Sequence, residues 1–139
     1  MQLPPVLIAV VLAGVFSQGL KIVLLVALKR QQFTWKDLVV TGGMPSSHTA
    51  VVVALVVSLY LTEGLSNLFI ICVVLAAIVI RDALGVRRTA GEEGKLLNKL
   101  LRHIHYNTKP IHYSLGHTPL EVVVGVVIGV LSGLVVLVL

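Results

Sequence analysis

Two histidines each open an apolar run. His48 closes the segment Gly42-Gly43-Met44-Pro45-Ser46-Ser47-His48, and His117 lies in Gly116-His117-Thr118-Pro119-Leu120-Glu121. Ser46 or Ser47 is suited to cap the helix that follows, and the first helical turn leaves backbone N–H groups unpaired. Those donors and the positive end of the helix dipole favour a bound anion, phosphate above all. A histidine at the same place can protonate a leaving oxygen as a general acid, whereas the plain alternative is a helix start with an interfacial histidine.

Glu121 follows His117 by four residues, which puts both side chains on one helix face. A carboxylate that accepts from one ring nitrogen fixes the tautomer and leaves the other nitrogen as a nucleophile. Thr118-Pro119-Leu120-Glu121 also fits a capping box, with Thr118 as N-cap and Glu121 reaching back. The box explains Glu121 without chemistry, but it does not explain the histidine before it.

Arg81-Asp82-Ala83-Leu84-Gly85-Val86-Arg87-Arg88 supplies three permanent cations at the level of both histidines. Arginine binds phosphate oxygens bidentately, and Arg81, Arg87 and Arg88 are therefore candidate phosphate ligands, with Asp82 orienting one of them. The same arginines also serve as a topological signal. Lys21 lies deep in the first apolar run beside Gln18, where an ionisable group either faces a polar interior or snorkels to the boundary. It is a candidate on the substrate side. His103, His105 and His112 show no trusted partner pattern. Asp37, Asp82, Glu92, Glu93 and Glu121 are not clustered as Mg²⁺ carboxylates are, so no metal and no other cofactor is expected.

The elements that position these groups follow from composition. The chain has 139 residues, 57% of them hydrophobic and 12% charged, with a mean hydropathy of +1.01. A spanning helix needs about 20 mostly apolar residues, and the sequence supplies four such runs, about 3–28, 48–62, 65–81 and 118–139. Spanning backbone must satisfy its own hydrogen bonds, and no barrel-like alternation is present. The expected fold is all-α, a single integral membrane domain over 1–139 with about four transmembrane helices. Met1 to Pro5 carries no Lys or Arg, so a cleavable signal is not expected, and lone Cys72 excludes an intramolecular disulfide.

The first basic loop holds Lys29, Arg30 and Lys36; the second holds Arg81, Arg87, Arg88, Lys95, Lys99, Arg102 and Lys109. The turn between the second and third runs holds only Glu63. Four spans put both basic loops on one side, which the positive-inside rule makes cytoplasmic, and both termini on the other. A bacterial plasma membrane is the expected location. Leu96, Leu97, Leu100, Leu101 and Ile104 recur at helical spacing within Gly91 to Tyr106. This predicts a cytoplasmic amphipathic helix in the headgroup zone or one capping the bundle from below. The formal charge of +5 points to lipid surfaces or phosphorylated substrates rather than nucleic acid. Gly125, Gly129 and Gly133 suit close helix packing, within the chain or in a homo-oligomer.

Taken together, these segments resemble a known group. Pro45-Ser46-Ser47-His48 is similar to the Pro-Ser-Gly-His motif of the type 2 phosphatidic acid phosphatase (PAP2) superfamily. His117 to Glu121 resembles the end of that superfamily's last motif, with Glu replacing Asp. Joined with Arg-Asp-x-x-Gly-Val-Arg-Arg, they resemble its divergent branch of YuiD-like small membrane proteins over nearly the whole chain. The resemblance implies a metal-independent membrane phosphatase acting on a lipid phosphate or diphosphate. His117 would be the nucleophile that forms a phosphohistidine, Glu121 its orienting partner and His48 the acid, while Ser46, Ser47 and local amides would bind phosphate. The superfamily's first motif, Lys-x6-Arg-Pro, is absent, and so is the Ser-Arg before the nucleophile, whose arginine role would pass to Arg81, Arg87 or Arg88. The alternative is a non-catalytic lipid-phosphate binder or transporter that keeps the anion site.

Overall fold

The computed structural model describes residues 4–29, 43–111 and 116–139. Arg30, Lys36, Asp37 and His112 lie outside the described residues. The described chain is all helical: α1 (Pro5–Lys29), α2 (Ser47–Glu63), α3 (Asn67–Leu84), α4 (Val86–His103) and α5 (Pro119–Leu134), closed by a 3-10 turn over Val135–Val138. Three stretches, 5–27, 67–103 and 119–138, contain helix long and apolar enough to cross a membrane. The remaining apolar helix, α2, has 17 residues, and at 1.5 Å per residue spans about 25 Å. It is shorter than the roughly 30 Å of a hydrocarbon layer.

The packing is inverted relative to a water-soluble bundle. The largest fully buried side chains are Thr49, Pro45, Ser17, Ser46 and Ser58, whereas Val15, Phe16, Ile71, Ile78, Val127 and Leu131 face outward. Lipid is as apolar as leucine, so large aliphatic groups gain little by turning inward. Close packing of small residues holds such helices together instead. Ala9, Ala13, Ser17 and Lys21 form the buried stripe of α1, and Ala50, Ala54 and Ser58 that of α2.

On α5 the stripe is glycine. A Cβ on Gly125 would lie 2.6 Å from the Ser46 carbonyl oxygen, one on Gly129 2.6 Å from that of Ala50, and one on Gly133 2.7 Å from the Val57 side chain. Contacts that advance together along both sequences mean that α2 and α5 run parallel, with their N-termini at the same end of the bundle. The C-terminal end of α3 is there too, because the His117 N–H donates to the Ala83 carbonyl at 3.0 Å.

The turns follow local chemistry. Gly64 ends α2 at φ +67°, in the left-handed region that favours glycine. Ser66 then caps α3 by accepting from the Phe69 N–H. The amphipathic helix, expected from about Gly91, starts at Val86. Gly85 gives its N–H to Arg81 and accepts from Thr89, so helical hydrogen bonding resumes after a single residue. Arg87 and Arg88 consequently sit in the first turn of α4 rather than in a loop.

Candidate active site

At the shared end of α2 and α5 the two histidine segments are joined by backbone. The Ser46 N–H donates to the Glu121 carbonyl oxygen at 3.1 Å. The Ser46 hydroxyl caps α2 by accepting from the Thr49 N–H, and it also bonds the Thr49 hydroxyl at 2.9 Å. Such a cap is worth about 1 kcal/mol. Ser46 is fully buried and its polar atoms are committed to this joint. Among the described residues, the Ser47 and His48 amides are the first-turn donors of α2 that no hydrogen bond takes up.

His117 is 5% exposed. Its Nδ1 lies 3.1 Å from Oε2 of Glu121; an ionised carboxylate only accepts, so Nδ1–H is the donor, and it is Nε2 that carries the lone pair in the neutral ring. The same Oε2 accepts from the Thr118 N–H at 3.1 Å, while the Thr118 hydroxyl accepts from the Glu121 N–H. Both expectations for Glu121 therefore hold at once: it completes a capping box and fixes the imidazole.

Gly116 is what lets His117 reach this position. A Cβ there would fall 2.2 Å from the Arg88 N and Cα atoms, so the chain crosses directly on the backbone of the first turn of α4. His117 is thereby held between α3, through the Ala83 carbonyl, and the start of α4.

A narrow cleft with free room of about 10 Å³ is lined by His48, Val79, Asp82, Ala83, Arg87 and His117. Both imidazoles and one guanidinium thus share a wall. The Arg87 Nε donates to Asp82 Oδ2, which fixes the guanidinium at the cleft while the carboxylate offsets part of its charge. His48 lies in the field of Arg87, His117 and Lys21. Lys21 is 3% exposed and lies in the field of the Glu121 carboxylate, so the ammonium faces the interior of the bundle rather than snorkelling outward.

Other sequence candidates lie elsewhere. Arg81 lines a separate surface depression with Ile80, Leu84 and Val86. Arg88 reaches Glu92 at 3.2 Å along the exposed side of α4. The phase of α3 turns Asp82 and Ala83 to the cleft, and Arg81 therefore falls on a different face. Among the described residues, no three His, Cys, Asp or Glu side chains converge as metal ligands do.

The pattern of the Divergent PAP2 family matches residues 4–132. The chain belongs to that family. It is also 37% identical to the uncharacterized membrane protein YuiD of Bacillus subtilis (strain 168) over 141 residues, covering 88% of this chain and 87% of that protein. No solved structure matches. In this divergent PAP2 protein the matched region contains every residue of the cleft.

Two contributors escaped the sequence reading. Gly116 has no assigned role in the sequence, and only its distance to Arg88 reveals why a side chain is excluded. Asn98 fell on the polar face of α4, yet it is buried. Its side chain donates to the Ile111 carbonyl and accepts from the Ile111 N–H, both at 2.8 Å, a clamp no periodicity announces.

Proposed function

We propose that this protein is a membrane phosphatase that hydrolyses a lipid phosphate or diphosphate at the cytoplasmic face, without a metal, through a phosphohistidine. The observation that supports it most is the Glu121-bound imidazole of His117 lining one cleft with His48 and Arg87. Nε2 of His117 attacks phosphorus, and the bond to the leaving lipid oxygen breaks as His48 gives that oxygen a proton. Arg87 and the Ser47 and His48 amides balance charge on the non-bridging oxygens. Water, deprotonated by His48, then attacks the phosphohistidine, releasing phosphate and restoring the Nε2 lone pair. Lys21 and the dipole at the start of α5 support the pair.

Phosphate release from a panel of lipid phosphates, in detergent with EDTA, tests the reading. The wild type should release phosphate, vanadate should inhibit it, and His117→Ala should lose it. Equal release by both proteins would remove His117 from the reaction. The absence of the Lys-x6-Arg-Pro and Ser-Arg segments favours a second reading, a lipid-phosphate binder or transporter; saturable binding without turnover by the wild type would select it.

A further inference from the structure

Helix α4 has three distinct sides. Gly91 and Asn98 are buried against the protein. Lys95, Lys99 and Arg102 are exposed on a second side. The third is an unpartnered apolar face on which Leu96 is 68%, Leu97 44%, Leu100 52% and Ile104 58% exposed. Where the cationic and apolar sides meet, a groove of about 800 Å³, open to its surroundings, is lined by Leu96, Lys99, Leu100, Arg102 and His103. Arg102 spends its Nε on the Asn98 carbonyl, which leaves its two terminal amino groups for an anion. Cations above leucines match one chemical class, an anionic phospholipid with its phosphate at the cations and its chain along the leucines.

This face is mechanically continuous with the cleft. Helix α4 begins one residue after α3, and its first turn carries Arg87 and presses on Gly116 beside His117. At its far end the Asn98 clamp ties it to Ile111. We infer that α4 is seated on the anionic phospholipids of the surrounding leaflet through this groove, and that the seating holds Arg87 and the His117 segment together. The inference concerns lipid and helix position, and it stands whether or not the cleft turns over phosphate.

The test uses spin labels in nanodiscs. Cys72 is the only cysteine, so Cys72→Ser gives a clean background. A label at Leu100→Cys should favour oxygen over a water-soluble nickel chelate, and one at Glu92→Cys the reverse. Replacing phosphatidylcholine/phosphatidylglycerol discs by pure phosphatidylcholine should move the Leu100 label toward water, as should Lys99→Glu with Arg102→Glu. Each basic residue near such a surface contributes roughly a fivefold gain in binding. Labels at Lys95→Cys and Leu120→Cys should give a narrower distance distribution with the anionic lipid than without it. Because the lipid comparison keeps Lys99 and Arg102 native, misfolding of the charge-reversed variant does not decide the outcome. A Leu100 label as water-accessible as the Glu92 label, or a depth indifferent to phosphatidylglycerol, would overturn the seating. So would coupling between Leu100 labels, which would place a second copy on the face. A Lys95–Leu120 distribution unchanged by lipid would overturn the link to the cleft.

Discussion

The Ser46 N–H reaches the Glu121 carbonyl at 3.1 Å, and this one hydrogen bond brings together segments far apart in the sequence. It fixes the start of α2 against the first turn of α5, so His48 and His117 approach the cleft from two helices whose relative height is set. The glycine stripe below keeps that height. A cleft built this way draws its precision from helix packing rather than from a flexible loop.

Glu121 performs two tasks that substitution can separate. Gln serves a capping box as well as Glu but provides no carboxylate for His117. Glu121→Gln should therefore keep its melting temperature while phosphate release falls by about 10² or more. Thr118→Ala should cost about 1 kcal/mol of stability and keep release within a few-fold. Thermal unfolding and release on the same preparations check both, and a fully active Glu121→Gln would end the orienting role.

The arginines should differ sharply. Arg87→Gln removes the guanidinium that lines the cleft and should lower kcat/KM by about 10- to 100-fold, in keeping with a charge-assisted contact of about 1.5–3 kcal/mol. Arg81→Gln, facing a separate depression, should stay within about threefold of wild type, the scale of an ordinary surface change. Steady-state kinetics on one substrate decides it; equal losses would assign Arg81 to the site.

Gly116→Ala places a Cβ where the Arg88 backbone lies. The His117 segment must lift away from α4. Phosphate release should drop at least about tenfold, since small misplacements cost that much and more, while circular dichroism keeps its helical signal. Wild-type release by this variant would show that the close crossing is not needed.

The seam between α2 and α5 gives a paired stability prediction. Gly129→Ala meets the Ala50 carbonyl and the Val53 side chain and should destabilise by about 1–3 kcal/mol. Gly19→Ala meets nothing within 4 Å and should be neutral or stabilising by up to about 1 kcal/mol. Detergent thermal melts compare the two.

Sidedness is open to labelling. Glu63 and the cleft occupy opposite ends of α2. On the Cys72→Ser background, Lys95→Cys should react with an impermeant maleimide only from the cytoplasmic side and Glu63→Cys only from the other. Labelling of both from one compartment would contradict a spanning α2.

Much of this architecture is legible in residue types because lipid permits few solutions. Apolar runs become helices, Ser46 and Thr118 mark their starts, and small residues every fourth position mark contact faces. The meeting of His48 with His117 follows once both basic segments are assigned to one end. What escapes is phase and proximity. Three arginines around Gly85 look equivalent until the single-residue joint sets the phase of α4, which sends Arg87 to the cleft and Arg88 outward. Asn98 is as polar as its neighbours, and only the position of Ile111 makes it a clamp. Ser46 makes its expected cap and is fully buried, outside the lining of the cleft.

Neighbouring helices usually run in opposite directions, so that their electrical poles cancel. Helices α2 and α5 instead set two like poles side by side, with the C-terminus of α3 and the Glu121 carboxylate next to them. A negative charge beside one such helix start is stabilised by the few tenths to 1 kcal/mol assigned to a single terminus. Any negatively charged group arriving there meets both ends together, which makes the parallel pairing itself a reason for this end to stay hungry for charge.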